Sequence, residues 1–219
     1  MPGWEARMGQ VQTINLESVR SRRKDDSSGR RRPESLTKLK QAARKLFVER
    51  GYDATRPQDI AREAGLGHGT FYLHYPDKRA CFLAFVEEAR EELNAHLRAH
   101  RQTGANLEQR IAAALHAMYD YSDQHPGVLR AALADERIID ADGVQARPLM
   151  MQWGDEWAQM IREAAAEGKA RCDYDAEIVG QAIAGALHQT GREAHHAGRG
   201  RDLVIVNLTA FLSRALKPD

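Results

Sequence analysis

Only two of the 219 residues are cysteine, Cys81 and Cys172. That excludes the disulfide framework of a small secreted domain, and a lone thiol beside Phe82 and Leu83 reads as packing rather than as a redox sensor. No apolar run approaches the length that spans a bilayer or forms the core of a signal peptide. The sequence therefore predicts a soluble, cytoplasmic protein with no membrane partner. Strand-like alternation and internal repeats are missing too, which leaves an all-α chain. Phosphate loops, the dinucleotide glycine pattern and nucleophile elbows are equally absent. His96 and His100 stand at i and i+4 in HLRAH, a spacing that can bring two imidazoles to zinc. The glutamate of a zincin motif is missing, however, and no third ligand is evident. They are read as a solvated helix face, and His195 and His196 beside Gly198 as a helix end. No enzyme, cofactor or metal site is expected.

The net charge of +1 conceals an asymmetry. Residues 1–80 hold 17 Lys and Arg against 10 Asp and Glu, a net of +7, while the remainder holds 15 against 21, a net of −6. The amino-terminal part is thus the part suited to meet phosphate. Residues 1–33, rich in Arg, Ser, Asp and Gly without a sustained apolar period, are expected to be a disordered basic arm. Arg20, Arg22, Arg23, Lys24 and Arg30 to Arg32 either contact DNA beside the main site or belong to a plain solvated tail, and the residues favour neither. From Ser35 the pattern turns helical, with Leu36, Leu39, Ala43, Leu46 and Phe47 on one face. Gly51 ends this helix and Tyr52 seals the joint.

Residues 55–78, TRPQDIAREAGLGHGTFYLHYPDK, predict two short helices joined by a glycine turn, the layout of a DNA-reading helix-turn-helix. Thr55 is placed as an N-cap whose hydroxyl accepts from a free N–H of the first turn, with Pro57 in that turn. Ile60, Ala61 and Ala64 form the inner face, Gly65 takes the left-handed conformation, and Leu66 and Phe71 fill the angle between the helices. His68, Gly69, Thr70, Tyr72, Leu73 and His74 are left outward, a set suited to base edges, thymine methyls and phosphates. Gln58, in the first turn of the first reading helix, reaches a base or a phosphate. A helical hairpin of any other kind has no reason to combine Ala61, Gly65 and an exposed polar second helix.

The block from residue 36 to 83, with GYDAT, DIAREAGLGHGTFYLHYPDK and a further helix opening CFLAF, resembles the amino-terminal DNA-binding domain of the tetracycline-repressor (TetR) family. The resemblance implies a dimeric, all-helical transcription regulator, as a rule a repressor, with a diverged carboxy-terminal domain that binds a small molecule. It also implies that Lys78 contacts a DNA phosphate and that the helix after Asp77 bridges reading head and ligand domain. Tyr75 and Pro76 depart from the family's more usual Phe followed by a polar residue, which leaves the end of the recognition helix less defined.

Asp77 is placed as the cap of a long helix to about residue 101, along which Cys81, Phe82, Phe85, Val86, Ala89 and Leu93 recur at helical spacing. The second half is a train of helices. Leu107, Ile111, Leu115 and Met118 form one face that stops before Pro126, a shorter segment follows through Leu129 and Leu133, and a loop surrounds Asp142 and Gly143. Leu149, Met150, Trp153, Trp157, Met160, Ile161 and Ala164 mark the next helix, and the last two cover 175–195 and 201–216. Small residues including Gly180 and Ala184, with Leu187, and the apolar residues Leu203, Val204, Leu208, Phe211 and Leu212 are expected to form a homodimer interface. Phe85, His116, Met118, Tyr119, Met150, Met151, Trp153, Trp157 and His188 are candidates to line a ligand pocket, though each could as well be core.

The expectation is an all-α fold of about nine helices. Residues 1–33 are the arm, 34–80 a three-helix DNA-binding domain and 81–219 a helical effector-binding and dimerisation domain. The function expected is a ligand-responsive transcription regulator, a repressor, that binds a palindromic double-stranded DNA operator as a homodimer and is released by a small apolar or aromatic effector. Gln58, His68, Thr70, Leu73 and His74 are the candidate base readers, Thr55, Tyr72, Tyr75 and Lys78 the candidate backbone contacts, and Gly69 lets the backbone come close. The alternative is a dimeric DNA-binding module controlled by a protein partner, or without an effector.

Overall fold

Helix α1, Ser27–Ala54, is broken at Gly51, whose φ of +77° turns the chain out of the helix where a side chain would be strained. The computed structural model describes residues 27–100, 106–134, 147–171 and 173–218, with backbone alone over 27–31. Most of the expected basic arm, the loop about Asp142 and Gly143, and Cys172 therefore lie outside the described residues. Helix α1 begins before the boundary expected at residue 34 and carries Pro33 within it. After it come α2 (Pro57–Glu63), α3 (His68–Tyr72), α4 (Lys78–Ala99), α5 (Leu107–Gln124), α6 (Val128–Ala132), α7 (Leu149–Ala166), α8 (Ala176–His196) and α9 (Arg201–Leu216). These nine helices, with no strand among the described residues, make the fold all-α.

Local chemistry sets several of the boundaries. The Asp77 carboxylate accepts from Ala80 N at 2.7 Å and starts α4. Asn106 and Gln109 form a reciprocal capping box at α5, and Asp175 accepts from Ile178 N at 2.9 Å to start α8. Such a cap contributes on the order of 1 kcal/mol.

Two apolar cores result. The first unites α1 to α4 through Leu39, Leu46, Phe47, Ile60, Phe71 and Phe82, and continues into Val128 and Ala132 of α6 and Leu149 of α7. Phe47 and Phe82 meet edge to face at 5.0 Å. Cys81 lies in this core, where burial pushes its thiol up to about 12; it is packing, without thiolate character at neutral pH. The second core joins α5, α7, α8 and α9 through Ile111, Leu115, Ile161, Ile183, Ile205 and Leu212.

Helices α7 and α8 cross very closely. A Cβ on Gly180 would sit 2.2 Å from Gly154 O, and one on Gly154 would run into Gln181. Gly180 therefore serves this crossing inside the chain, which corrects its expected place in a dimer interface. Gly180, Ala184 and Leu187 are buried against the chain's own helices, as are Val204 and Leu212 of α9. Leu203 and Phe211 remain 55% and 64% exposed, joined by Val206 and Ile178, and Leu208 is half-buried.

Candidate functional site

The reading head rests α2 and α3 on α1. Gly65, at φ +67°, reverses the chain between them, and Leu66 N closes the turn on Ala61 O at 2.8 Å. Phe71 is fully buried and packs against Tyr75 at 5.6 Å. With Phe71 inward, its neighbours on the five-residue α3 must face out. Tyr72 is 50% and Leu73 65% exposed, His68 and Gly69 are exposed, and Thr70 is half-buried. Nothing lies within 4 Å of where a Cβ on Gly69 would be, so this backbone is open to close approach. Gln58, in the first turn of α2, is exposed as well.

Four expected contacts occupy positions that the sequence did not disclose. Thr55 is completely buried, and its hydroxyl donates to Gly51 O at 2.7 Å and Leu46 O at 3.3 Å. It is not the N-cap of α2, which is Arg56, and it is no surface for phosphate. Its role is to lock the exit of α1 by satisfying carbonyls freed by the break at Gly51. Tyr75 is 7% exposed, and burial raises its phenol, so its ring belongs to the core. His74 is half-buried, outside α3, with Nε2 2.7 Å from Ser35 Oγ on α1. Lys78 donates to Tyr52 O at 2.9 Å and places its ammonium 4.0 Å from the Tyr52 ring centre. Ser35 and Tyr52 thus orient the His74 and Lys78 side chains at the end of the reading unit; Ser35 had no sequence signal beyond the start of a helix.

A polar joint connects the head to the rest. Arg44 on α1 binds Glu92 on α4 through both terminal nitrogens, and Tyr121 on α5 donates to Glu92 Oε2 at 2.8 Å. Burial raises the Glu92 carboxyl, but the bonds from Arg44 and Tyr121 outweigh it and hold the group below its ordinary value. Burial and the Glu92 carboxylate together raise the Tyr121 phenol. His125 Nδ1 lies 3.4 Å from Arg44. Beside it, Gly127 at φ +80° would place a Cβ 2.9 Å from Val48 Cγ1 of α1.

A cavity of about 1110 Å³ opens between α4, α5, α6, α7 and α8. Of the expected lining residues, Met118, Tyr119, Trp153, Trp157 and His188 are in its wall. Phe85, His116 and Met150 are not. Phe85 belongs to the first core, His116 is exposed, and Met150 is half-buried away from the wall. Met151 is 44% exposed. Sequence reading missed Leu93, Asn94 and Leu97 of α4, Arg110 of α5, Leu129 of α6 and Leu133 just after it, and Glu156 of α7. Asn94 carried a signal, being a polar residue within the apolar stripe of α4.

His96 and His100 stack at 4.3 Å. His96 is half-buried with Nε2 lacking a hydrogen-bond partner, while His100 is exposed. Among the described residues no three His, Cys, Asp or Glu gather as a metal ion requires, and no helix is long and apolar enough to cross a membrane.

The family described as bacterial regulatory proteins, tetR family, matches residues 39–85. The chain is 32% identical over 90 residues to the HTH-type transcriptional activator FasR of Mycolicibacterium smegmatis, covering 41% of each protein. It is 26% identical over 161 residues to the HTH-type transcriptional repressor KstR2 of Rhodococcus jostii, covering 70% of this chain and 76% of that one. The match to FasR thus spans less than half of that protein's length. In fold, the chain resembles the TetR family protein CprB from S. coelicolor A3(2), with a TM-score of 0.59 at 22% identity over 86% of this chain and 91% of that one.

Proposed function

We propose that this chain is a transcription regulator of the TetR family, that it binds a palindromic DNA operator as a homodimer and that it leaves the operator when a small molecule fills the cavity. The observation that carries this reading is the double role of α4 and α6. Both wall the cavity, and both pack against the core that holds the reading helices. An occupant that favours a tilted α4 moves the head with it, provided that it binds that conformer better than the DNA-bound one.

On the DNA side, Gln58, His68, Thr70, Tyr72 and Leu73 face the major groove, Gly69 admits the phosphate backbone, and Lys78 supplies a phosphate contact from a position fixed by Tyr52. One helix as short as α3 reads few bases. Two of them, about 34–36 Å apart, read successive major grooves. The exposed apolar residues Ile178, Leu203, Val206 and Phe211 supply the face on which a second copy packs. The sign of regulation differs between the relatives named above. We take repression, because a dimer seated on an operator blocks polymerase without any further contact. Its working compartment is the cytoplasm, where the operator is.

Selection of bound sequences from a random DNA pool, followed by binding over a range of salt, tests the reading. A palindromic consensus with salt-sensitive binding supports it. Binding without a consensus makes the protein a nonspecific DNA binder and defeats it.

A further inference from the structure

The cavity wall is basic although the domain around it is acidic. Residues 81–219 carry a net charge of −6. Arginine nevertheless reaches the wall six times, at Arg98, Arg110, Arg130, Arg192, Arg199 and Arg201, against three carboxylates, Asp123, Glu156 and Glu163. Half of these arginines have carboxylates of their own: Arg110 binds Glu167, Arg199 binds Glu193, and Arg201 binds Asp120 and Asp123. Arg98, Arg130 and Arg192, one each from α4, α6 and α8, are exposed and make no side-chain hydrogen bond or ion pair among the described residues. Each is both in the wall and open to solvent, so it stands where the cavity meets water. The two wall carboxylates not held by arginine, Glu156 and Glu163, are both on α7 and accept from Asn94 and Gln159. The unmatched positive charge therefore lies on the α4, α6 and α8 sides. Arg110 adds to it, because Glu167 also binds Lys169 and Arg110 Nη1 is buried without a partner. Closed off from solvent, that nitrogen contributes to the field of the cavity rather than to its contacts.

We infer that the effector is an amphipathic anion, an apolar body with a carboxylate or phosphate head, whose body fills the cavity and whose head pairs with Arg98, Arg130 and Arg192. The guanidinium fork matches the oxygens of either head. The body meets Leu97, Leu129, Leu133, Trp157 and Leu187, and a cavity of about 1110 Å³ has room for a long chain or fused rings. An ammonium is repelled by the same wall, and an uncharged head leaves the three guanidiniums unmatched. Two of the three stand on α4 and α6, the helices that also pack against the core of the reading head. This rests on the cavity being the effector site, and it adds a negative head to the apolar or aromatic effector expected from sequence.

The test titrates the full-length protein calorimetrically with decanoate, 1-decanol and decylammonium, which share an apolar chain and differ in the charge of the head. Decanoate should bind about tenfold or more tightly than the alcohol, and the ammonium more weakly than either. Added salt should weaken decanoate and leave the alcohol unchanged. In the triple variant R98Q/R130Q/R192Q, checked by thermal melting, the ratio of decanoate to alcohol affinity should fall about tenfold. Decanoate bound no better than the alcohol by the wild type, or a preference for it that survives in the variant, overturns the anion inference and leaves the cavity reading standing. Failure of all three probes to bind overturns the cavity reading and this inference with it.

Discussion

Arg44 and Glu92 meet side-on, with Nη1 to Oε1 at 2.7 Å and Nη2 to Oε2 at 2.9 Å, so two parallel charge-assisted bonds join the reading head to the long helix. The Glu92 carboxyl is held below its ordinary value of 4.5. The stability this contributes is present in full above that value and is lost as pH falls through the lower folded value.

Glu92→Gln should therefore flatten the acid side of the stability profile. At neutral pH it should cost on the order of 1 kcal/mol, since the pair is partly exposed and solvent screens it. Denaturant melts from about pH 3 to 7 read both effects. A variant that loses stability on acidification as steeply as the wild type would assign the acid sensitivity elsewhere.

Lys78→Ala should weaken binding to every DNA sequence and lower the salt dependence by about one phosphate contact per protomer. Filter binding or anisotropy at several salt concentrations measures it. An unchanged slope with a lowered melting temperature would mean that the ammonium only clamps Tyr52.

Tyr72→Ala and Leu73→Ala concern residues that are 50% and 65% exposed. Each should alter stability by less than about 0.5 kcal/mol. Specific binding should fall by about tenfold or more, with nonspecific binding retained, if each reads a base or a thymine methyl. Parallel titrations on the selected consensus and on scrambled DNA separate the two.

The helices, the cap at Asp77, the Gly51 break and the Gly65 turn were legible because each depends on a few neighbouring residues. Thr55 was misjudged for a related reason. A threonine before a proline reads as an N-cap, and only the carbonyls freed at Gly51 explain why its hydroxyl turns inward. Gly180 of α8 misled in the same way. Small residues announce a close crossing, but sequence does not say whether the partner helix belongs to the same chain. The cavity was half legible: its aromatic and methionine residues stood out, whereas Leu93, Leu129 and Leu133 look like any core residue until the helices are assembled.

The two faces of α8 and α9 give opposite predictions. Phe211→Arg should leave each protomer folded and shift the protein toward monomer, as light scattering after gel filtration would show. Gly180→Ala forces a carbon to 2.2 Å from Gly154 O and should destabilise the fold by about 1–3 kcal/mol or more. A dimer that survives Phe211→Arg would remove this face from the interface.

Gly127 bears on α1 with only a hydrogen where other residues carry a carbon, and its counterpart there is the stiff, β-branched Val48. Gly127 itself has no side chain to take up movement by changing rotamer, and Arg130 lies beside it, with Nη2 3.6 Å from the same point. On the proposed mechanism, an occupant of the cavity that pushed Leu129 or Leu133 would reach α1 through the Gly127 backbone, like a shaft running in a bearing without play.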